Sequence, residues 1–354
     1  MSAINPAMPA FGSPTTASVR ANFETARAEI SALQNNVSAV QYQLGEFRTL
    51  HQNLDLYVAA DGSDFAGDGT QARPFRQIQR AINEIYQING NNYEANVSVG
   101  PGIYESFLFY GPVFNFSWVE IAGGSADPAD IAATIIRAPA NGKAIDIGFI
   151  HNVSIARVSI EGVNTTNTTG LTVWNYGSVY PYNIRWGPCQ THMESWMGYL
   201  STFGLHVIYG DAAYHAHCAA PGATLELYPS NYQILGNRNI GVWARVQQMG
   251  LLVWSSGPVT GGTVTGKRYE VGVLSVLRNE AAAALPGTIA GTVDPTGVFQ
   301  GITGLAAPLA SAEPLPTDRQ LRHPLPAPLQ RRLENHMTEL PNGAENRIEG
   351  GQAQ

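Results

Sequence analysis

Leu56–Ser106 reads LYVAADGSDFAGDGTQARPFRQIQRAINEIYQINGNNYEANVSVGPGIYES. A short apolar run comes first. The stretch Asp61–Arg73 then holds three glycines and three aspartates, residues that favour turns and left-handed backbone, so it is a connector. From Phe75, apolar residues recur at Phe75, Ile78, Ile82 and Ile85, steps of three and four that place side chains on one helical face. Val97 and Val99 alternate with polar neighbours and stop at Gly100-Pro101-Gly102, the pattern of a half-buried strand and its turn. The spacing therefore predicts a loop, a one-sided helix and the first of a series of strands.

The whole chain of 354 residues fits that series. Only 13% of residues are charged, with 37 glycines and 22 prolines, which suits a turn-dense β body better than a helical bundle. A net charge of −7 argues against a general nucleic-acid binder, since phosphate neutralisation needs clustered cations. No apolar run reaches the ~20 residues of a membrane span, and the N-terminus lacks the basic-then-apolar order of a secretory signal. Synthesis in a cytoplasm is expected. Cys189 and Cys218 are too few for a disulfide framework and are expected to be free and buried.

Along the chain, residues 1–17 form an extended arm rich in Pro, Ala, Ser and Thr. Residues 18–55 read as a helical stalk in which Phe23, Ala26, Ile30, Leu33, Val37, Val40, Leu44 and Phe47 repeat at alternating steps of three and four. Such a narrow seam favours a self-associating coiled coil over packing within one chain. Residues 56–95 supply the loop and capping helix. From 96 to 302, short alternating runs recur at Val97/Val99, Val119/Ile121, Ile145/Ile147, Val153/Ile155, Leu171/Val173, Leu205/Val207, Leu225/Leu227 and Val271/Val273. Several separations near twenty suit one solenoid coil per repeat, about nine coils in all. A β-sandwich is the alternative. The stretches 222–246 and 250–274 look related, each passing from a short strand through a turn and glycine to a second strand. Residues 303–354 are a proline-rich extension, read either as a disordered appendage or as a strap docking through Arg319, Arg322, Arg331 and Arg332.

The Leu56–Ser106 string resembles the opening of right-handed parallel β-helices in bacteriophage tail spikes and fibres, where a helix covers the first rung. AFGSPTTASVRANFETARAEISALQ at 10–34 resembles the N-termini of phage virion fibre proteins. The stretch 250–274, with LPGTIAGTVDPTGVF at 285–299, resembles their closing region. The resemblance implies a homotrimeric virion fibre or spike fixed to another virion protein of head or tail by its N-terminal arm. It further implies adsorption to the host surface, a host glycan among the partners, and location in the virion after synthesis. The C-terminal extension is a second candidate contact with a neighbouring virion protein.

Catalysis on such a body needs two converging carboxylates, 5 to 9.5 Å apart for glycoside hydrolysis. Glu120, Asp146 and Glu226 each sit between two core-type residues, so alternation points them outward, as polysaccharide-cleaving candidates or as solvated surface. The sequence offers them no walled groove, and the reading favours a non-enzyme with a polysaccharide depolymerase as the alternative. His215 and His217, two apart on a strand, are weak metal candidates expected to share a face; no second paired motif accompanies them. No nucleophile elbow or phosphate loop is present, and no cofactor is implied. Trp174, Tyr176, Tyr180, Tyr182, Trp186, Trp196 and Tyr199 place seven aromatics in 26 residues, candidates for receptor or inter-chain contact. A purely structural decoration of head or tail is the third reading of the chain.

Overall fold

The computed structural model describes residues 22–34, 48–111, 113–125, 127–255, 257–281 and 284–301. The extended arm, the extension 303–354 and the seam positions Val37, Val40, Leu44 and Phe47 lie outside the described residues.

The strands coil into a parallel β-solenoid. One coil runs Glu94–Val99, Gly102–Glu105 and Phe107–Tyr110, and the next begins at Trp118–Ala122 directly over Glu94–Val99. Three faces result. The first carries Leu54–Val58, Glu94–Val99, Trp118–Ala122, Val153–Ala156 and Ser178–Tyr182 in succession. The second carries Gly102–Glu105, Thr134–Ala138, Ser159–Gly162 and Arg185–Trp186. The third is an 8-stranded sheet from Phe107–Tyr110 to Thr292–Val293. The long strands Tyr199–Ile208 and Thr224–Ile234 cross the corner between the first two faces, joining them into one 15-stranded sheet. All pairing between named strands is parallel, which rules out the alternative sandwich of antiparallel sheets.

The core is a column of stacked apolar side chains. Ala95, Val119, Val153, Val179, Leu200, Leu225, Leu252 and Leu277 rise rung over rung inside the first face, all buried. The two related stretches at 222–246 and 250–274 are neighbours in this column, Leu225 pairing with Leu252 and Leu227 with Trp254. The coil is longer than the spacing of apolar pairs predicts. Inter-coil hydrogen bonds join residues 26 apart at Ser154 and Tyr180, 27 apart at Tyr199 and Glu226, and 25 apart at Ser255 and Glu280. Val153 and Leu171 belong to different faces, and Leu205 pairs with Asn231 while Leu225 pairs with Leu200, so those separations measured sides of a coil. Val273 lies in a turn past the end of Val264–Val271, exposed.

The opening segment folds as read, with two adjustments. The helix is Ile78–Ile85, burying Ile78, Ala81, Ile82 and Ile85 against the first rungs. Phe75 stands before it, bridging to Val58 with its ring fully buried. Asp64 explains one loop aspartate: its Oδ1 accepts from the backbone N–H groups of Arg76 and Gln77 at 2.8 and 3.0 Å, pinning the approach to the helix. Asp68 binds Thr70 and Arg73, and the Thr70 hydrogen bonds lead in holding its carboxyl at about 2. The helical stalk reading stops short of 55, because Arg48–Thr49 pairs with Ile88–Asn89 and Leu54 starts the first rung.

The turn at Gly123 tolerates no added bulk. At Gly123 a side-chain Cβ would fall 2.0 Å from the carbonyl oxygen of Arg157 on the next coil. A second insertion, the helix Pro128–Ala133, is capped by Asp127, whose side chain accepts from the Ala129 N–H at 2.8 Å.

Leu225 is wholly buried in the rung column, so Leu225→Ala is expected to lower unfolding stability by about 2–5 kcal/mol in denaturant titration. Phe65→Ala, at a side chain 102% exposed, is expected to leave the midpoint where it was.

Candidate functional site

Each rung places its residue over the residue one coil earlier, so outward side chains also form columns. On the third face the outer column runs Leu108, Asp146, Thr172, Glu194, His217, Arg245 and Glu270. Its polar groups are paired with neighbours. Lys143 Nζ lies 2.9 Å from Asp146 Oδ2, His217 Nδ1 2.9 Å from Glu194 Oε1, and Arg245 Nε 3.3 Å from Glu270 Oε2. Lys267 closes the series at 2.5 Å from Glu270 Oε1.

Aromatic rings flank this column. Trp174 and Trp196 stack at 5.2 Å between centroids, 17° from coplanar, and the Lys143 ammonium sits 4.0 Å from the Trp174 ring centroid. Tyr214 stacks on His217 at 5.4 Å and carries the Arg245 guanidinium on its face at 4.6 Å. Burial foremost, then a hydrogen bond to the Asp146 carboxylate and its charge, raise the Tyr110 hydroxyl well above the ordinary phenol range, so it stays protonated.

The three carboxylates singled out by sequence do point out of the core, and they do not converge. Glu120 and Glu226 share the outer column of the first face with Ser154, Tyr180 and Ser201 on the rungs between. Four rungs separate them by about 19 Å, twice the span that glycoside hydrolysis uses. Asp146 is on another face. Glu120 meets Arg157 at 3.2 Å, and Glu226 accepts from the Tyr199 hydroxyl at 2.6 Å. Burial foremost, then that carboxylate, raises the Tyr199 pKa, so the phenol remains the donor. The carboxylate nearest Asp146 in register is Glu194, two rungs away across Thr172. Sequence reasoning passed over it because nothing local marks it; its position follows only from the strand register.

The dense aromatic group does not form one surface. Tyr180, Tyr182 and Tyr199 join Trp118, Phe203 and Tyr228 in a cluster outside the first face, separate from the main core. Trp174 and Trp196 belong to the third face. Tyr176 stands alone at a turn, 74% exposed with φ 64°. Trp186 is wholly buried inside the solenoid, which removes it from any receptor or inter-chain contact.

His215 and His217 also separate, against the expectation of a shared face. Strand Ala212–Cys218 bends so that His215 and Ala216 both turn inward, while Tyr214 and His217 stack outside. His215 instead joins His192, His206, Trp186, Tyr232 and Trp243 in the interior. His192 Nδ1 lies 2.9 Å from His215 Nδ1, and Trp186 Nε1 donates to His206 Nδ1 at 3.0 Å. Burial holds His192 and His206 at about 3 and keeps His215 well below its ordinary value, so all three are neutral. Cys189 and Cys218 are free and buried, and burial pushes Cys218 up to about 12. Among the described residues, no three His, Cys, Asp or Glu side chains gather to hold a metal ion.

At the N-terminal end, residues 22–34 are helical. Three seam positions are uncovered, Phe23 71%, Ile30 55% and Leu33 62% exposed, with Ala26 partly covered. No helix among the described residues is long and apolar enough to cross a membrane.

No protein-family model and no curated protein matches the chain. Among solved structures, Escherichia coli YbhC is similar at 11% identity and a TM-score of 0.36, over 70% of this chain and 85% of that one. At that level neither residues nor activity transfer.

The buried histidines make stability depend on pH. Their folded pKa values lie below the unfolded value near 6.5, so their contribution is full above that pH and is lost as pH falls through the window from about 6.5 towards about 3. Between pH 6.5 and 5, before most carboxylates titrate, stability is expected to drop by about 2 kcal/mol per buried histidine. A denaturation midpoint that stays level over this interval would contradict neutral burial.

Proposed function

We propose that the chain is a fibre or spike subunit of a bacteriophage particle, held by its N-terminal arm and presenting a rigid solenoid for adsorption to the host surface. Its work is adhesive and mechanical. The observation that carries this reading is the uncovered apolar seam of Phe23, Ile30 and Leu33 on a helix placed before a solenoid. Exposed apolar side chains at seven- and three-residue steps are satisfied when copies of the same helix zip together, burying the stripe of each against the others. The number of copies, three, comes from the resemblance to phage fibres. The same resemblance supplies the virion partner of the N-terminal arm and the contact of residues 303–354 with a neighbour.

A second reading is a depolymerase of the same body. It is favoured by Asp146 and Glu194 on one outer column, two rungs or about 10 Å apart, close to the spacing used by inverting glycosidases. Asp146 and Glu194, two rungs apart on one column, replace Glu120 and Glu226 as its candidates.

Sedimentation of the purified chain is expected to give the mass of three copies, and Ile30→Asp with Leu33→Asp is expected to give single subunits with an unchanged β spectrum. A wild-type chain that sediments alone would overturn the fibre reading. Incubation with host capsule or lipopolysaccharide is expected to release no oligosaccharide. Release abolished by Asp146→Asn or Glu194→Gln would establish the enzyme instead.

A further inference from the structure

Tyr176, set apart from the other aromatics of its stretch, has successors at the same corner. Strands of the first face stack Ser178, Tyr199, Thr224, Leu251 and Val276 rung over rung. Two residues before each of these stands a residue with left-handed backbone: Tyr176 at φ 64°, Met197 at 55°, Gly222 at 75°, Met249 at 63° and Leu274 at 51°. The corner from the third face to the first thus turns the same way on five successive coils. Gly222 is the residue that such backbone favours, whereas a bulky side chain at positive φ is an outlier that costs stability. Four of the five rungs nevertheless carry a large apolar side chain there. Tyr176, Met249 and Leu274 are each more than half exposed, and Met197 is half-buried. One coil earlier Phe149 stands at the same corner, with φ 59° and its ring also more than half exposed.

Together these side chains form an apolar ridge that runs five rung spacings, about 24 Å, along the solenoid. Its chemistry limits the partner. The turns 149–152, 175–177, 197–198, 219–223, 247–250 and 272–275 hold no Asp, Glu, Lys or Arg. The other corners do, with Asp127, Asp130 and Arg157 between the first and second faces and Asp211 between the second and third. A surface that meets its own copy brings each charge against the same charge, so self-contact requires a strip without them.

The stalk supplies a second condition. Copies zipped along Phe23, Ile30 and Leu33 run side by side and bring the same corner to the same height. A strip one side chain wide falls below the ~800 Å² per partner of a free-standing interface, so it acts once the stalk has brought the solenoids together. We propose that the ridge from Phe149 to Leu274 is the contact between the solenoids of neighbouring copies of this chain, packed around a common axis with Tyr176 against Tyr176 and Met249 against Met249. The inference rests on the fibre reading and gives that assembly its contact beyond the stalk.

The test is oxidative cross-linking of the purified full chain carrying one added cysteine, with the native Cys189 and Cys218 buried. Tyr176→Cys is expected to give covalently paired chains on a non-reducing gel. Val163→Cys, at a residue also more than half exposed but beside another corner, is expected to give none. Tyr176→Asn with Met249→Asn removes apolar contact and suits the left-handed backbone. That pair is expected to weaken association about tenfold or more in sedimentation, while in the Ile30→Asp, Leu33→Asp background it leaves the thermal midpoint level or raises it. A trimer in which Tyr176→Cys links no faster than Val163→Cys, or whose association the asparagine pair leaves unchanged, overturns the ridge contact and leaves the fibre reading standing. A 176–176 link in an assembly of two copies keeps the ridge and removes the three-copy fibre. A chain that stays single at every concentration overturns both, and its flotation with phosphatidylcholine vesicles would make lipid the partner of the ridge instead.

Discussion

Parallel stacking in register is the constraint on which everything else depends. Once each coil hydrogen-bonds to the one before it, every side chain faces its counterpart about 4.8 Å away, inside and outside alike. Inside, this gives the continuous column from Ala95 to Leu277. Outside, it forbids like charges on successive rungs, which would repel at close range. The sequence obeys. On the first face Asp55, Asn96, Glu120 and Ser154 alternate charged with neutral, Asn96 donating to Asp55 at 3.0 Å. On the third, Glu194 lies next to His217 and Arg245 next to Glu270. The ion pairs therefore serve register before they serve chemistry.

The interior departs from simple aliphatic filling where the long strands Tyr199–Ile208 and Thr224–Ile234 cross a corner. Trp186, Trp243, Trp254 and Tyr232 fill this region with three neutral histidines among them. Large rings supply volume that Val and Leu could not, and the histidines find partners in Gly187 O, Phe203 O, Trp186 Nε1 and one another. The cost is a core that opposes protonation.

Much of the fold was legible in residues 56–106, where loop composition, helical spacing and strand alternation each point to one element. Strand positions were legible wherever two inward residues alternate, as at Val153 and Ile155. The coil length was not, because turns of unequal size blur the repeat and one coil contributes several apolar pairs. Parity failed at His215 because a bent strand turns two successive residues inward, which a period of two cannot express. The outward direction of Asp146 could be read from its neighbours, whereas its association with Thr172 and Glu194 is a property of register between strands more than twenty residues apart. The aromatic group near 174–199 was dense in sequence for a plain reason: a coil of that length visits every face, and its rings were dealt to four different places.

The most direct measurement of the central claim is oxidative cross-linking of cysteines placed on the third face. Thr172→Cys with Glu194→Cys puts thiols on adjacent rungs, within the ~4.4–6.8 Å Cα separation that a disulfide spans, whereas Thr172→Cys with His217→Cys puts them two rungs or about 10 Å apart. Peptide mapping is expected to show the 172–194 bridge in folded protein and none between 172 and 217. A 172–217 bridge formed in preference to it would contradict the stacking order from which the site is built.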